Sequence, residues 1–267
     1  MCSGSCYWEP VFSLLFLSLP LTATTLFISD LHLSLERPDI TDAFLQFMQQ
    51  EAPHADALYV LGDLFEFSIG DDEPSTLYEQ VATAFRTCTE LGVPVYFIHG
   101  NRDFMVGRQF AKQGAVQLLA EHTVIDLYGE RTLIMHGDTL CIDDAGYQRY
   151  RRVTRWRWLQ WLFLRLPLSF RMKIADGIRS SSADSKEHKV MQVMDVNQQE
   201  VERQMRHYQV RTLIHGHTHR PALHDFVLDD TSARRWVLGD WYTQGSVLAV
   251  SPHGVSLEER SLPKVKS

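Results

Sequence analysis

Aspartate, asparagine and histidine residues follow five apolar segments of this sequence, each at the point where the segment ends. Asp30-Leu31-His32 follows the apolar run at 26–29, and Gly216-His217-Thr218-His219 ends the run that begins at 211. In extended backbone, residues i and i+2 point to the same side, so each of these two motifs can direct two side chains at one ion. Between them in the chain lie Gly62-Asp63, Gly100-Asn101-Arg102-Asp103 and His136-Gly137-Asp138.

The donor atoms of these motifs suit a divalent transition-metal ion. A mixed set of carboxylate, amide and imidazole ligands without thiolates favours borderline ions such as Mn²⁺, Fe²⁺ or Zn²⁺. A single histidine at a strand end is usually a structural residue. Five such motifs in this order, each directly after an apolar run, together predict a metal centre.

The composition excludes several other classes of protein. The chain has 267 residues, of which 22% are charged and 45% hydrophobic, and this excludes a disordered or low-complexity protein. The formal charge of -7 disfavours a general nucleic-acid coat. The four cysteines contain no Cys-x-x-Cys pair and are too scattered for a disulfide framework. We expect Cys88 and Cys141 to be buried thiols.

Alternating strands and helices must position the polar motifs. Apolar runs predict strands at 26–29, 57–62, 93–100, 131–137 and 211–216, with more strands between 222 and 260. Helical periodicity predicts helices over 40–51 and 76–91. Strands mixed with helices in this way indicate an α/β fold with buried sheets.

Residues 144–207 interrupt the alternation, because only helical stretches are predicted there. Nine basic residues and one acid lie between 149 and 179, and Trp156, Trp158 and Trp161 lie among them. One interpretation is a set of amphipathic helices with a solvated basic face. The other is a cap over a ligand that has apolar and anionic parts, and arginine with tryptophan also suits a membrane surface.

The N-terminal residues 1–23 permit two interpretations. The uncharged run at 11–21 is shorter than the roughly 20 residues that cross a bilayer, and it has the length of the apolar part of a signal peptide. Residues 1–10 hold no Lys or Arg, which a signal peptide would require. We therefore favour an extension upstream of the folded domain.

The order D-x-H, G-D, G-N, H and G-H-x-H resembles that of the calcineurin-like metallophosphoesterases. The segments TLFISDLHLS, ALYVLGDLFE, YFIHGNRDF, LIMHGDTLCIDDAGYQ and LIHGHTHRPA resemble more closely those of the pyrophosphatases that cleave UDP-2,3-diacylglucosamine in lipid A synthesis. The resemblance implies an α/β fold, a four-layer αββα sandwich with a helical insertion as a cap. Its core would comprise 24–143 and 208–262, and 144–207 would be the lipid-binding insertion.

The same resemblance implies two Mn²⁺ ions per chain. The first would be held by Asp30, His32, Asp63 and His219, and the second by Asp63, Asn101, His136 and His217, with Asp63 as the bridge. Water would attack the α-phosphorus of the diphosphate and release UMP and 2,3-diacylglucosamine 1-phosphate, which is lipid X. The catalytic residues would be Asp63, Asn101, Arg102 and His136.

Substrate contacts carried over from the resemblance are Asn101, Arg102, Asp144, Ser182, Lys186, Lys189 and His217. Arg171 and Arg179 of the insertion are further candidates for contact with phosphate, and the alternative for each is a surface arginine. Arg102 departs from the wider superfamily, which has a histidine there. Arginine cannot readily donate a proton, but it can bind phosphate oxygens as a fork. The subfamily often has a tryptophan where this chain has Ser68.

The resemblance further implies a peripheral protein on the cytoplasmic side of the inner membrane, with no nucleic-acid ligand and no obligate protein partner. Two rival functions are an enzyme of the same fold that cleaves nucleic acid or cyclic nucleotides, and a non-catalytic binding module. The acidic charge and Arg102 disfavour the first, and the seven intact ligand positions disfavour the second. We expect Glu66 and Asp103 either to orient ligands or to face solvent.

Overall fold

Eleven strands form two sheets in the computed structural model, which describes residues 23–175, 177, 195–242 and 244–261. The strands of the first sheet are β1 (Thr25–Ile28), β2 (Ala57–Val60), β3 (Val95–Phe97), β4 (Gln117–Leu118), β10 (Gln244–Ser251) and β11 (Gly254–Ser261). Those of the second are β5 (His122–Leu127), β6 (Glu130–Met135), β7 (Thr212–His215), β8 (Ala222–Leu228) and β9 (Thr231–Val237). Their orders are β11-β10-β1-β2-β3-β4 and β5-β6-β7-β9-β8.

The helices lie in the connections between the strands. They are α1 (Pro38–Gln50), α2 (Thr76–Glu90), α3 (Arg108–Gly114), α4 (Ala145–Thr154), α5 (Arg157–Leu164) and α6 (Gln198–Tyr208). Residues 168–175 are also helical, and single 3₁₀ turns occupy Ala52–His54 and Asp138–Leu140. In the described residues no helix is both long and apolar enough to cross a membrane.

Alternation of side chains along the central strands generates the layers. Leu26 and Ile28 of β1 pack with α1, α2 and α3, whereas Phe27 between them packs against the second sheet. On β6, Ile134 faces the first sheet while Leu133 and Met135 face α6. Successive residues of a strand point to opposite faces, so each central strand contributes to two cores. The predicted αββα sandwich is confirmed.

Parallel pairing brings the polar motifs to one edge of the sandwich. β1, β2, β3 and β4 run parallel in the first sheet, and β6, β7 and β9 run parallel in the second. Because the carboxyl ends of parallel strands lie at the same edge, the five motifs that follow these strands meet there. α3, β4 and β5 were not predicted; α3 spans only seven residues and β4 two, too few for a clear pattern of side chains.

The described residues of 144–207 form helices joined by short turns and contain no strand, as predicted. α6, at its end, packs Val201 and Met205 against Leu133 and Leu213 of the second sheet. By these contacts α6 forms the fourth layer of the core, and α4, α5 and 168–175 are the described helices of the insertion. Of the predicted N-terminal extension 1–23, residues 1–22 lie outside the described residues, and Ala23 is the first residue described.

Candidate metal centre

Three buried or half-buried ligand atoms converge after β1 and β7. Nε2 of His219 lies 3.2 Å from Oδ1 of Asp30 and 3.3 Å from Nε2 of His32. Nε2 of His32 is 4.0 Å from the same carboxylate oxygen. These distances place one oxygen and two nitrogens around a common point. The two motifs thus direct their side chains at one ion as predicted, but not through the extended backbone that the i, i+2 argument assumed, because Asp30, His32 and His219 have positive φ angles.

The donor set fits a divalent cation. Oδ1 of Asp30 is completely buried and has no hydrogen-bond partner of good geometry among the described residues. Around an ion with bonds of about 2.1 Å in octahedral arrangement, neighbouring ligand atoms lie about 3 Å apart. The contacts of His219 have this spacing. A buried carboxylate oxygen without a donor, facing two imidazoles, is the arrangement that a metal ion would complete.

Asp240 orients the ring of His219 from the side opposite to Asp30. Oδ2 of Asp240 lies 2.9 Å from Nδ1 of His219, which leaves Nε2 pointing towards Asp30 and His32. Burial lowers the pKa of His219, but the hydrogen bond to Asp240 and the close contact and charge of Asp30 outweigh it and raise the pKa to about 10. The site therefore favours positive charge at this position, and a proton occupies it when no cation does.

A second group lies beside the first, formed by Asp30, Asp63 and His136, whose ligand atoms are within 4.8 Å of one another. The carbonyl oxygen of Leu61 accepts a 2.8 Å hydrogen bond from Nδ1 of His136, which directs Nε2 at Oδ1 of Asn101, 2.9 Å away. When the His136 ring is neutral, its Nε2 is an acceptor, and so is Oδ1 of Asn101. These two acceptors can face each other only with a proton or a shared cation between them. Asn101, Asp63 and His136 are thus brought together as predicted, and the bridging role of Asp63 stays a prediction.

His217 completes the set of seven. Its ring packs edge to face on that of His136, with centroids 5.0 Å apart. Its pKa falls to about 4, chiefly because of burial and of the charge of His136. Burial also acts on His136, but there the carboxylates of Asp63, Asp30 and Asp138 raise the pKa.

Five of the seven predicted ligands have backbone φ angles of 50° to 73°: Asp30, His32, Asp63, His217 and His219. Residues other than glycine adopt this left-handed conformation rarely, and it costs about 1–3 kcal/mol each. The neighbouring glycines permit the tight approach of these loops. A Cβ on Gly100 would lie 2.1 Å from Oδ1 of Asp63, and one on Gly216 would lie 2.3 Å from Oδ2 of Asp30.

Arg102 stands beside this centre, between two carboxylates. Its backbone N–H donates to Oδ1 of Asp63 at 2.8 Å, and its guanidinium pairs with Glu66. Nδ1 of His32 lies 3.3 Å from the same Glu66. Asp103, with none of its surface exposed, accepts hydrogen bonds from the backbone N–H groups of Leu64 and Gly100, each at 2.7 Å. Asp103 therefore braces two ligand-bearing loops, and the alternative that it faces solvent is wrong.

The insertion reaches the same edge of the sandwich. Arg155 donates a 2.7 Å hydrogen bond to the carbonyl of Gly100, and Tyr147 donates one of 2.6 Å to Asp138. Asp144 accepts from the backbone N–H of Tyr147 at 2.9 Å and thereby caps α4. A substrate contact by Asp144 stays a prediction.

Arg171 is buried, so the alternative that it is a surface arginine is wrong. It is 1% exposed, and its guanidinium donates to Oδ1 of Asp72 at 2.8 Å and to the carbonyls of Ile69 and Leu166. These partners tie the insertion to the loop at 69–72, and the structure does not bring this guanidinium to the metal ligands. A contact between Arg171 and phosphate stays a prediction, and the hydrogen bonds of its guanidinium do not support it. The remaining predicted substrate residues lie outside the described residues: Arg179, Ser182, Lys186 and Lys189.

Two residues of the site were missed by the sequence analysis. They are Asp240 and Tyr242, whose ring stacks on that of His32 with centroids 5.0 Å apart. A signal was present, because the tetrapeptide VLGD that ends in Asp63 recurs at 237–240 and ends in Asp240. The buried thiols Cys88 and Cys141 are confirmed.

The fold and the ligand cluster define a class of protein, the binuclear metallophosphoesterases. A model of the calcineurin-like phosphoesterase family matches residues 23–221, and the chain belongs to this family. Its relatives include two proteins named UDP-2,3-diacylglucosamine hydrolase. The one from Aeromonas salmonicida is 56% identical over 242 residues, 91% of this chain and 95% of the relative. The one from Photobacterium profundum is 56% identical over 237 residues, 89% of this chain and 97% of the relative.

Proposed function

We propose that this protein is a metal-dependent hydrolase that cleaves the diphosphate of UDP-2,3-diacylglucosamine in lipid A synthesis. The observation that carries the proposal is the cluster of Asp30, His32, Asp63, His136 and His219, with Asn101 and His217 against His136 and Arg102 beside it. The chain is also more than half identical to hydrolases named for this substrate. Water attacks the α-phosphorus, and the bond from that phosphorus to the bridging oxygen breaks. The bridging oxygen leaves with 2,3-diacylglucosamine 1-phosphate, and the other product is UMP.

Two Mn²⁺ ions held by the seven ligands would neutralise phosphate charge and supply activated water at neutral pH. The residues of the chain position the substrate around them. Arg102 presents a guanidinium that can bind two phosphate oxygens as a fork, once it exchanges Glu66 for the substrate. The amide oxygen of Asn101 lies 2.9 Å from Nε2 of His136, and we propose that its amide contacts the substrate beside Arg102.

The chemistry of the leaving group accounts for an arginine in place of the superfamily histidine. A phosphate monoester has a second pKa near 6, so it departs at neutral pH without a proton from a general acid. Arg102 therefore serves by binding charge, which a leaving phosphate needs more than protonation.

The insertion supplies a surface for the acyl chains. Trp158, Trp161 and Leu162 of α5 are exposed by 60%, 58% and 48%, respectively. Burial of an acyl chain contributes roughly 0.8 kcal/mol per methylene, so an apolar surface near the phosphate site can bind much of the substrate. We infer that the part of the predicted insertion 144–207 that precedes α6 is the lipid-binding part of the protein.

We further propose that the protein works as a peripheral protein on the cytoplasmic side of the inner membrane, without a nucleic-acid ligand or an obligate protein partner. The exposed apolar residues and neighbouring arginines of the insertion support attachment to a membrane surface. Recovery of the protein from the periplasm, cleaved near Ala23, would contradict this location.

Hydrolysis in H₂¹⁸O tests the proposed reaction. The label should appear in UMP and not in the sugar phosphate, and an Arg102→Lys variant should lose about 100-fold in kcat because lysine cannot form the fork. The metal content of that variant should equal that of the unmodified protein. Label in the sugar phosphate would show attack on the β-phosphorus, and the absence of turnover with added Mn²⁺ would refute the proposed substrate.

A further inference from the structure

A cleft lies between α3 and the start of α5, apart from the metal centre. Its volume is about 1020 Å³. The apolar part of its lining includes Val116, Leu118 and Leu119, which follow α3 in the chain. His99 also lines it, and Nε2 of its ring donates a 2.7 Å hydrogen bond to the carbonyl of Val106. Among the described residues that line the cleft there is no carboxylate.

Three cations line the cleft: Arg108 and Lys112 from α3, and Arg157 from α5. All three residues are exposed, and none of their side chains has an ion pair or hydrogen bond with another described residue. Other arginines of the insertion differ, since Arg151 pairs with Glu121 and Arg171 with Asp72. On a chain with a formal charge of -7, three unpaired cations around one concavity are a local positive site.

The cleft adjoins the apolar face of the insertion. Arg157 is flanked by Trp156 and Trp158, which are about half exposed and stack on each other with ring centroids 5.8 Å apart. Tryptophans next to basic side chains are typical of the interface between water and lipid, where the ring lies at the level of the headgroups. Cations in the cleft and tryptophans beside it together fit a ligand whose anionic headgroup is attached to an apolar layer.

We propose that the cleft between α3 and α5 binds the phosphate headgroup of an anionic phospholipid, through Arg108, Lys112 and Arg157. The inference rests on the proposed peripheral location, and it adds the surface and the headgroup chemistry by which the protein is attached. A nucleic acid fits less well, because three cations on a chain with a formal charge of -7 provide no extended track of phosphate contacts. Bound in this way, the protein would hold the face of α5 against the bilayer that contains its acylated substrate.

Flotation with lipid vesicles tests the proposal on the full chain. The unmodified protein should float with vesicles of equal phosphatidylglycerol and phosphatidylcholine, and much less with phosphatidylcholine alone. Each cation near an anionic surface accounts for roughly a fivefold change in binding, so Arg108→Gln with Lys112→Gln should weaken partitioning about 25-fold. Arg157→Gln alone should weaken it about fivefold.

Two controls separate this site from general charge and from the catalytic reaction. Replacing the exposed Arg131 and Arg234 of the second sheet by Gln removes the same charge and should leave flotation unchanged. The Arg108/Lys112 variant should hydrolyse detergent-dispersed UDP-2,3-diacylglucosamine at the normal rate. If the unmodified protein floats with anionic vesicles but does not hydrolyse UDP-2,3-diacylglucosamine, the proposed function is wrong and the proposed headgroup site still stands.

Three results would overturn the proposal for the cleft. They are flotation of the Arg108/Lys112 variant equal to that of the unmodified protein, an equal loss in both double variants, and no flotation of the unmodified protein. Inorganic phosphate at matched ionic strength distinguishes a free anion from a headgroup. If phosphate is bound in the cleft and the vesicles are not, the site recognises the free anion and the proposal is wrong.

Discussion

The backbone N–H of His217 donates a 2.9 Å hydrogen bond to Oδ2 of Asp30, residues that follow strands of different sheets. The bond occupies one oxygen of the carboxylate and leaves the other, Oδ1, facing His219 and His32. Burial raises the pKa of Asp30, but the neighbouring imidazoles of His219, His136 and His32 outweigh it and lower the pKa well below its usual range. Asp30 is therefore ionised at neutral pH, as a metal ligand must be.

Metal dependence is the first prediction. Chelation should abolish hydrolysis of UDP-2,3-diacylglucosamine, and Mn²⁺ should restore it. Asp63→Ala should lower kcat/KM at least about 1000-fold, because loss of a central ligand removes several kcal/mol of charge stabilisation. Elemental analysis and product formation would be measured together. Asp225→Ala, an exposed aspartate of β8, is the control, and full activity of Asp63→Ala in excess EDTA would exclude a metal reaction.

The second prediction concerns pH and the metal-free protein. The pKa of His219 is about 10 in the folded chain and about 6.5 when unfolded, so the folded state binds the proton more tightly. This stabilisation is complete below about pH 6.5 and is lost as pH rises towards 10. We expect the free energy of unfolding, measured with urea in chelator, to fall across that range by a few kcal/mol.

His219→Gln should remove most of this decline, and His253→Gln, at an exposed turn, should not. A variant of His219 that retains the full slope would show that other groups cause it. Addition of Mn²⁺ at pH 7 should release a proton into weakly buffered solution, because the ion and the proton compete for the same nitrogen.

The third prediction concerns Asp103, which accepts from the backbone of Leu64 and Gly100. Asp103→Ala should lower the free energy of unfolding by roughly 2–6 kcal/mol, since two buried N–H groups lose their acceptor. Asp103→Asn retains one acceptor oxygen and should cost less. Urea titration of both variants checks this order, and equal stability of Asp103→Ala and the unmodified protein would contradict the bracing role.

The fourth prediction concerns the acyl chains. The value of kcat/KM should fall by orders of magnitude from UDP-glucosamine with two acyl chains to the form with none, in detergent that disperses both. Leu162→Gln with Leu164→Gln should narrow this gap and leave the metal content unchanged, whereas Leu223→Gln on β8 should not narrow it. Equal kcat/KM for both substrates would refute the lipid-binding role of the insertion.

Most of the site was predictable because its information is local. An apolar run marks a strand, the polar residue after it marks the end, and parallel pairing brings such ends to one edge. Asp30, His32, Asp63, Asn101, His136, His217 and His219 could thus be assigned to one centre from residue type and position, with the family resemblance dividing them between two ions. Continuous apolar runs likewise predicted an α/β fold with buried sheets, and the family resemblance supplied the αββα order of the layers.

Only the tertiary structure decided which groups contact these residues. Asp240 orients His219 only because the loop after β9 meets the loop after β7, and this depends on the order of strands in the second sheet. Arg171 reads as a surface residue in a basic segment, yet Asp72, about 100 positions earlier in the chain, holds it in the interior. The sequence by itself determined which side chains could ligate a metal, because that is a property of residue type and of strand ends. The packing of distant segments decided which groups orient these ligands, since no pattern around Asp240 in the sequence indicates that it contacts His219.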